Sequence, residues 1–319
     1  MLAKESTPGA QYGTGGPLSR DVPVVVNDVW FIDDPHHGSS QELNAGKLSA
    51  TYAWADWGRD MLNFVLHVLP SYADVASAPW QLEWKDRGAA PLVPNLIGVG
   101  HSYGGNGLVY ASVTCPEAFS SLFLIEPMVR SVAHRKLHLP HTDIQNQPRL
   151  GSAKMPITAN PIVLGALKRR SEWPSLKSAA EMKGNAMFGT WDPEVFELFL
   201  SHGLVPTDPS KPDGEVTLAT PRWAEAAIFS DPYGPQRGWD NLLKLAVPAG
   251  FLMAGNAGWM GGEQVAQEIV ARAPRGRNER IMKASHLLVQ ETPTEAADAL
   301  WRFLTTLAAG DWDKQSSKL

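Results

Sequence analysis

The stretch Asn95-Leu96-Ile97-Gly98-Val99-Gly100-His101-Ser102-Tyr103-Gly104-Gly105 decides how the rest of the chain is read. A short apolar run enters Gly-x-Ser-x-Gly, and Asn106 to Val113 continues in a helix-compatible pattern. The order predicts a buried parallel strand, a sharp turn and a helix, with Ser102 at the tip of the turn. Gly100 and Gly104 fit a turn so tight that a Cβ at either position is expected to clash. The turn also aims the backbone N–H of Tyr103 at the place where an oxyanion would form beside Ser102.

Outward from this point the pattern alternates between strand and helix. Phe119 to Ile125 is a second buried strand and stops abruptly at Glu126-Pro127, where proline removes a ladder donor. Leu243 to Ala254 is a third strand, followed by a helix from Glu263 to Ala273 and a short strand from Asn278 to Lys283. Thr294 to Ala308 has an amphipathic helical period, with Ala297, Leu300, Trp301, Leu304 and Leu307 expected inward. On the N-terminal side, Val22 to Ile32 is Val- and Ile-rich and predicts a strand. Trp54 to Leu69 places Trp54, Trp57, Met61, Phe64, Val65 and Val68 on one helical face. Such alternation predicts an α/β fold with a mostly parallel sheet and helices on both faces.

Residues 129–240 break the alternation. They are polar and Pro-punctuated, with helical pieces at Ser175 to Met187 and Pro193 to His202 and almost no strand-type runs. The expected organisation is a core formed by residues 1–128 and 241–319, with residues 129–240 inserted as a helical cap.

Composition removes several function classes. The 319 residues are 44% hydrophobic and 19% charged, with a net charge of -5, which gives no reason to expect nucleic acid or an anionic membrane surface as partner. No run approaches the roughly 18 apolar residues of a membrane span. The one cysteine, Cys115, rules out a disulfide scaffold and is expected to be a small buried residue. His36 and His37 lack the HxxxH or HxH spacing of a ligand set and are expected to be solvated loop residues. No metal or other cofactor is expected.

A serine becomes a nucleophile near neutral pH only beside a base whose tautomer is held by a third group. With an elbow of this kind the acid follows the serine in the chain and the histidine comes last. His286 lies just beyond the last strand, which makes it the candidate base. The turn where the acid usually stands reads Gly255-Asn256-Ala257-Gly258 and holds no carboxylate. Glu126, at the tip of the strand after the elbow, is the preferred acid, with Glu263 and Asp240 as the other candidates.

The segments GVGHSYGGNG, FLIEPMV, Trp173 to Phe199, TPRWAEAAIF and KASHLLVQETP, with the terminal Ser-Lys-Leu, resemble fungal peroxisomal α/β-hydrolases, a group that includes acyl-CoA hydrolases and a lipase. The resemblance runs from about residue 22 to 305. It implies the α/β-hydrolase fold and an acid directly after the elbow's neighbouring strand, there usually Asp-Pro; Glu126-Pro127 is longer by one methylene. Relatives have several strands before Val22, one of which leads into a loop that supplies a second oxyanion donor. This chain has about twenty irregular residues there, which leads to the expectation of shortened N-terminal strands, with Gly13-Thr14-Gly15-Gly16 as a weak candidate for a remnant of that loop.

The implied activity is a serine hydrolase that cleaves an acyl-CoA thioester with a hydrophobic acyl group through an acyl-enzyme, in secondary or lipid metabolism. A carboxylesterase or lipase, or a weakly active ligand-binding protein lacking a complete oxyanion hole, are the alternatives. Trp173, Trp191 and Trp223 are expected to roof an acyl pocket. Arg135 and Lys136, in a cluster with Arg130, His134 and His138 and with Lys168, Arg169 and Arg170 further on, are expected to hold the CoA phosphates. Ser317, Lys318 and Leu319 form an address read by the peroxisomal import receptor, which predicts a location in the peroxisomal matrix.

Overall fold

The computed structural model describes residues 2–4, 24–69, 92–135 and 160–313. In chain order the strands are β1 (Leu2–Lys4), β2 (Trp30–Ile32), β3 (Ile97–His101), β4 (Ser121–Ile125), β5 (Glu172–Trp173), β6 (Leu204–Pro206), β7 (Val216–Leu218), β8 (Ala249–Ala254) and β9 (Gly276–Ile281). The main sheet has the order β3-β4-β8-β9 and is parallel throughout. The register puts His101 beside Ile125 and Ile125 beside Leu252, so the ends of three strands meet on one rim.

Both faces of this sheet are covered, which is why its central strands, apart from Ser121 at the start of β4, are apolar in a run rather than at alternate positions. Leu122 and Leu124 of β4 and Phe251 and Met253 of β8 join Trp57, Met61, Leu108 and Ile269 in one core. Phe123, Ile125, Leu252 and Ala254 point the other way, against Ala299 and Phe303 of the helix Pro293–Ala308. Leu122, Leu124 and Leu252 are fully buried, and each such side chain contributes about 2 kcal/mol by leaving water. The helix Trp54–Asn63, continued by the π-helical turn Phe64–Val68, buries Trp54, Trp57, Met61, Phe64 and Val65 as its period requires.

Three expectations differ from the structure. Within the described part of Val22 to Ile32, residues 24–32, only Trp30–Ile32 is strand, and it pairs antiparallel with Leu2–Lys4 instead of joining the main sheet; Val25 is 77% exposed. β-branched composition favours an extended chain, but a strand also needs a neighbouring ladder. A cavity of about 260 Å³ separates Trp30 and Ile32 from β3, which among the described residues has no partner on that side. On the helix Pro293–Ala308, Leu300, Leu304 and Leu307 pack against the core as expected, but the fully buried stripe is Ala296, Ala299 and Phe303, and Ala297 is exposed.

The third difference lies in the insertion. Residues 160–240 are not purely helical: β5, β7 and β6 form an antiparallel sheet around a separate core of Trp173, Met182, Phe196, Leu200 and Leu218. These strands are two or three residues long, too short for an alternating pattern to show in sequence. Among the described residues no helix is long and apolar enough to cross a membrane.

Candidate active site

Strain marks the elbow. Ser102 has φ 52° and ψ −118°, a conformation that costs a non-glycine residue about 1–3 kcal/mol and persists only when the surroundings impose it. They do so through the backbone: Ser102 N–H donates to the Ile125 carbonyl at 2.9 Å, and Asn106 and Met128 N–H donate to the Ser102 carbonyl at 3.2 and 2.9 Å. The buried Asn106 side chain donates to the carbonyls of Met128 and Gly234, tying the elbow helix to the chain that leaves β4. A Cβ on Gly100 would lie 2.8 Å from the backbone of Gly104 and Gly105. Gly104 itself has nothing within 4 Å, and the second tight position is Gly105, 2.9 Å from Pro127 Cβ. The crowding expected at Gly104 therefore belongs one residue later, on the helix face turned toward β4.

Glu126 stands at the end of β4 with φ 41° and is fully buried. Its N–H donates to the Leu252 carbonyl at 2.9 Å, and its Oε1 accepts the Ala254 N–H at 2.8 Å. The other oxygen, Oε2, lies 3.2 Å from His286 Nδ1, while His286 Nε2 lies 2.9 Å from Ser102 Oγ. A carboxylate at Nδ1 keeps the proton on that nitrogen and leaves Nε2 as acceptor for the serine hydroxyl. Glu263 and Asp240 point elsewhere: Glu263 pairs with Arg280 at 2.7 Å, and Asp240 accepts from Gln236 at 2.8 Å. Tyr103 opens the helix Tyr103–Thr114, so its N–H has no intrahelical acceptor and is available to an oxyanion.

His101, which the sequence reading passed over, joins this group. Its Nε2–H donates to the His286 carbonyl at 2.8 Å, and the two rings lie 5.1 Å apart. Burial, followed by the neighbouring His286, lowers its pKa to about 4, so it is a neutral donor at physiological pH. Its position directly before Ser102 was the available signal.

Ser102 and His286 open on a cavity of about 580 Å³. Its apolar wall comes from Trp54, Met128, Ile162, Met187, Phe229 and Trp259, and Arg130, Asn160, Asp231 and Asn256 supply polar groups. Trp173, Trp191 and Trp223 are not among the lining residues. Trp173 is buried in the insertion's own core beneath Arg170, Trp191 packs on Phe188 and Phe199, and Trp223 stands beside His36 with 41% of its surface exposed. Aromatic content had marked a segment with a core of its own.

The basic cluster is also dispersed where it is described. His134 is buried against Trp239 and meets Glu268 at 2.9 Å, Arg169 pairs with Glu225, and Arg170 lies over Trp173. Arg130 is the described member that reaches the cavity. Arg135 ends the short helix Val132–Arg135; Lys136 and His138, like Gly13-Thr14-Gly15-Gly16 and Ser317-Lys318-Leu319, lie outside the described residues. The solvated setting expected at His36 and His37 is not observed at His36, while the His37 side chain stays 36% exposed. His36 is 1% exposed and bonds the Ser49 carbonyl, and His37 meets Asp34 at 2.7 Å. A loop packed under Trp223 and Tyr52 needs these polar partners, and the sequence shows only its polarity.

A parallel sheet in which one strand turns through a strained serine into a helix, with a carboxylate at the end of the next strand and a histidine in the loop after the last, defines the α/β-hydrolase fold. The motif resemblance agrees with measured similarity. Over 139 residues the chain is 30% identical to the abhydrolase domain-containing protein AKT2 of Alternaria alternata, covering 43% of this chain and 45% of that protein. Over 226 residues it is 26% identical to the type I acyl-CoA thioesterase mpaH of Penicillium roqueforti, covering 65% of this chain and 43% of the relative. The chain thus spans less than half the length of these relatives. The solved peroxisomal α/β-hydrolase Lpx1 of Saccharomyces cerevisiae superposes with a TM-score of 0.66 at 17% identity, over 92% of this chain and 70% of that one. An esterase of Mycobacterium tuberculosis gives 0.51 at 18%, over 90% and 75%. At such identities the likeness establishes the fold. No protein-family profile matches the chain.

Proposed function

We propose that the chain is a serine hydrolase that splits the thioester of an acyl-CoA with a hydrophobic acyl group. The observation that carries this reading is the continuous Ser102–His286–Glu126 hydrogen-bonded chain at the mouth of a largely apolar 580 Å³ cavity. Ser102 Oγ adds to the thioester carbonyl while His286 Nε2 takes its proton, and the buried Glu126 carboxylate stabilises the resulting imidazolium. The Tyr103 N–H holds the oxyanion. The carbon–sulfur bond then breaks, and His286 returns the proton to the departing thiolate. Water repeats the sequence on the acyl-enzyme and frees the acid and Ser102.

A thiol of pKa about 8.5 is a better leaving group than an alcohol or amine and asks less of the histidine as acid. The similarity to a relative named as an acyl-CoA thioesterase supports the same bond. The terminal Ser317-Lys318-Leu319 supports a peroxisomal site of action; a reporter ending in residues 311–319 that stayed cytosolic would remove that part. Activity is tested by comparing an acyl-CoA with the ethyl ester of the same acid. The expected result is a kcat/KM at least about tenfold higher for the thioester, in line with the leaving-group difference. Equal values would assign a general carboxylesterase or lipase instead.

A further inference from the structure

We propose that Arg130 makes this cavity an anion-recognising site, so that the thioester it accepts carries an anionic group seated on the Arg130 guanidinium. The inference rests on the hydrolase reading for its substrate, and on the surroundings of Arg130 for the anion. Arg130 follows Glu126 by four residues, and its backbone is anchored by donation of its N–H to the Pro235 carbonyl at 2.9 Å. Its side chain lines the cavity that also holds Ser102 and His286.

Within that wall the guanidinium has almost nothing to bind. Among the described residues its buried Nε has no hydrogen-bond partner, and its one side-chain hydrogen bond is a long, solvent-exposed contact from Nη1 to the Trp259 carbonyl at 3.4 Å. No carboxylate among the described residues pairs with it, whereas Arg169, Arg275, Arg280 and Arg302 each meet one. The carboxylate that shares the cavity, Asp231, is already engaged: its Oδ2 accepts the Trp54 N–H at 2.9 Å and its Oδ1 the Tyr233 N–H at 2.8 Å. Burial alone pulls the Arg130 pKa below its ordinary value. An arginine is too basic to shed its proton at neutral pH, so a partly desolvated guanidinium that meets no carboxylate among the described residues is completed by an external anion.

Its planar fork suits the two oxygens of a carboxylate or phosphate. Two parts of an acyl-CoA could present that chemistry: a carboxylate on the acyl group, or the phosphates of the CoA.

The test separates these sources with four thioesters: glutaryl and butyryl, each on CoA and on N-acetylcysteamine. Binding is read by tryptophan fluorescence, since Trp54 and Trp259 line the cavity, using the Ser102→Ala protein so that nothing is turned over. If the anion is on the acyl group, glutaryl binds at least tenfold tighter than butyryl on both carriers. If it is on the carrier, CoA binds at least tenfold tighter than N-acetylcysteamine for both acyl groups. Either preference should vanish on adding Arg130→Met, which keeps an unbranched apolar stem and removes the guanidinium, and should return in part with Arg130→Lys.

Ratios within twofold of one in the Arg130 protein, or a preference that survives Arg130→Met, would overturn the proposal. Turnover by the protein with Ser102 intact distinguishes its failure from that of the hydrolase reading. Hydrolysis without anion preference removes the Arg130 site alone. Anion preference without hydrolysis of any of the four removes the thioesterase alone.

Discussion

His101 and His286 are joined by a 2.8 Å hydrogen bond from the ring of one to the main-chain carbonyl of the other. The strand that delivers the serine therefore also grips the loop that delivers the histidine. Replacement by phenylalanine should loosen that loop and lower kcat by about 10- to 100-fold, the scale of a small misplacement of a reacting group. His101→Gln, which keeps an N–H donor, should retain more activity than His101→Phe. Equal losses in the two variants, tracking their melting temperatures, would reduce the bond to packing.

The same residue gives stability a pH dependence with a definite sign. In the folded chain His101 titrates near 4 instead of its ordinary 6.5, so between these values the unfolded chain holds more protons than the folded one. The stability linked to it is complete above about pH 6.5 and falls by up to about 3 kcal/mol as pH drops toward 4. Urea midpoints between pH 7 and 4 should fall less steeply in His101→Gln than in the parent. Parallel slopes would show that the ring does not carry the effect.

Glu126→Gln keeps a side-chain oxygen for the Ala254 N–H but loses the charge that faces His286. It should lower kcat by about 100-fold or more with a modest change in KM, because the histidine loses its preferred tautomer and its counter-ion. Ser102→Ala and His286→Ala should each lose more, and the double variant little beyond either, since the groups act as a unit. A Glu126→Gln enzyme with parental kcat would send the search for the acid elsewhere.

The elbow glycines divide in a way that their shared motif conceals. Gly100→Ala and Gly105→Ala place a Cβ 2.8 and 2.9 Å from neighbouring atoms, so each should destabilise by about 1–3 kcal/mol. Gly104→Ala meets open space and has no positive φ. It should be neutral or stabilise by up to about 1 kcal/mol through the unfolded chain. Denaturant midpoints decide it, and a Gly104→Ala loss as large as that of Gly100→Ala would contradict the placement of the helix.

How far the sequence could be read depended on what each feature requires of its neighbours. The elbow and the central strands were legible because they are local: a buried parallel strand is apolar throughout, and Gly-x-Ser-x-Gly describes one turn. Glu126 was legible because Pro127 ends its strand at the rim where His286 also arrives. The cavity wall was not, since Met128, Ile162, Phe229 and Trp259 come from four separate segments and share no period. Trp173 and Trp191 misled for the same reason, as richness in aromatics does not say which core they fill. The pairing of β2 with β1 could not be read from Val22 to Ile32, because a ladder partner is a property of the fold.

The central claim is that Ser102 is an activated nucleophile. Intact-protein mass spectrometry after exposure to a serine-directed fluorophosphonate, followed by peptide mapping, measures this without knowledge of the substrate. One adduct is expected, on Ser102, formed in the parent at pH 7.5, absent in Ser102→Ala and slowed by at least about 100-fold in His286→Ala, the loss that follows removal of a general base. An unmodified Ser102, or labelling at the same rate without His286, would contradict it.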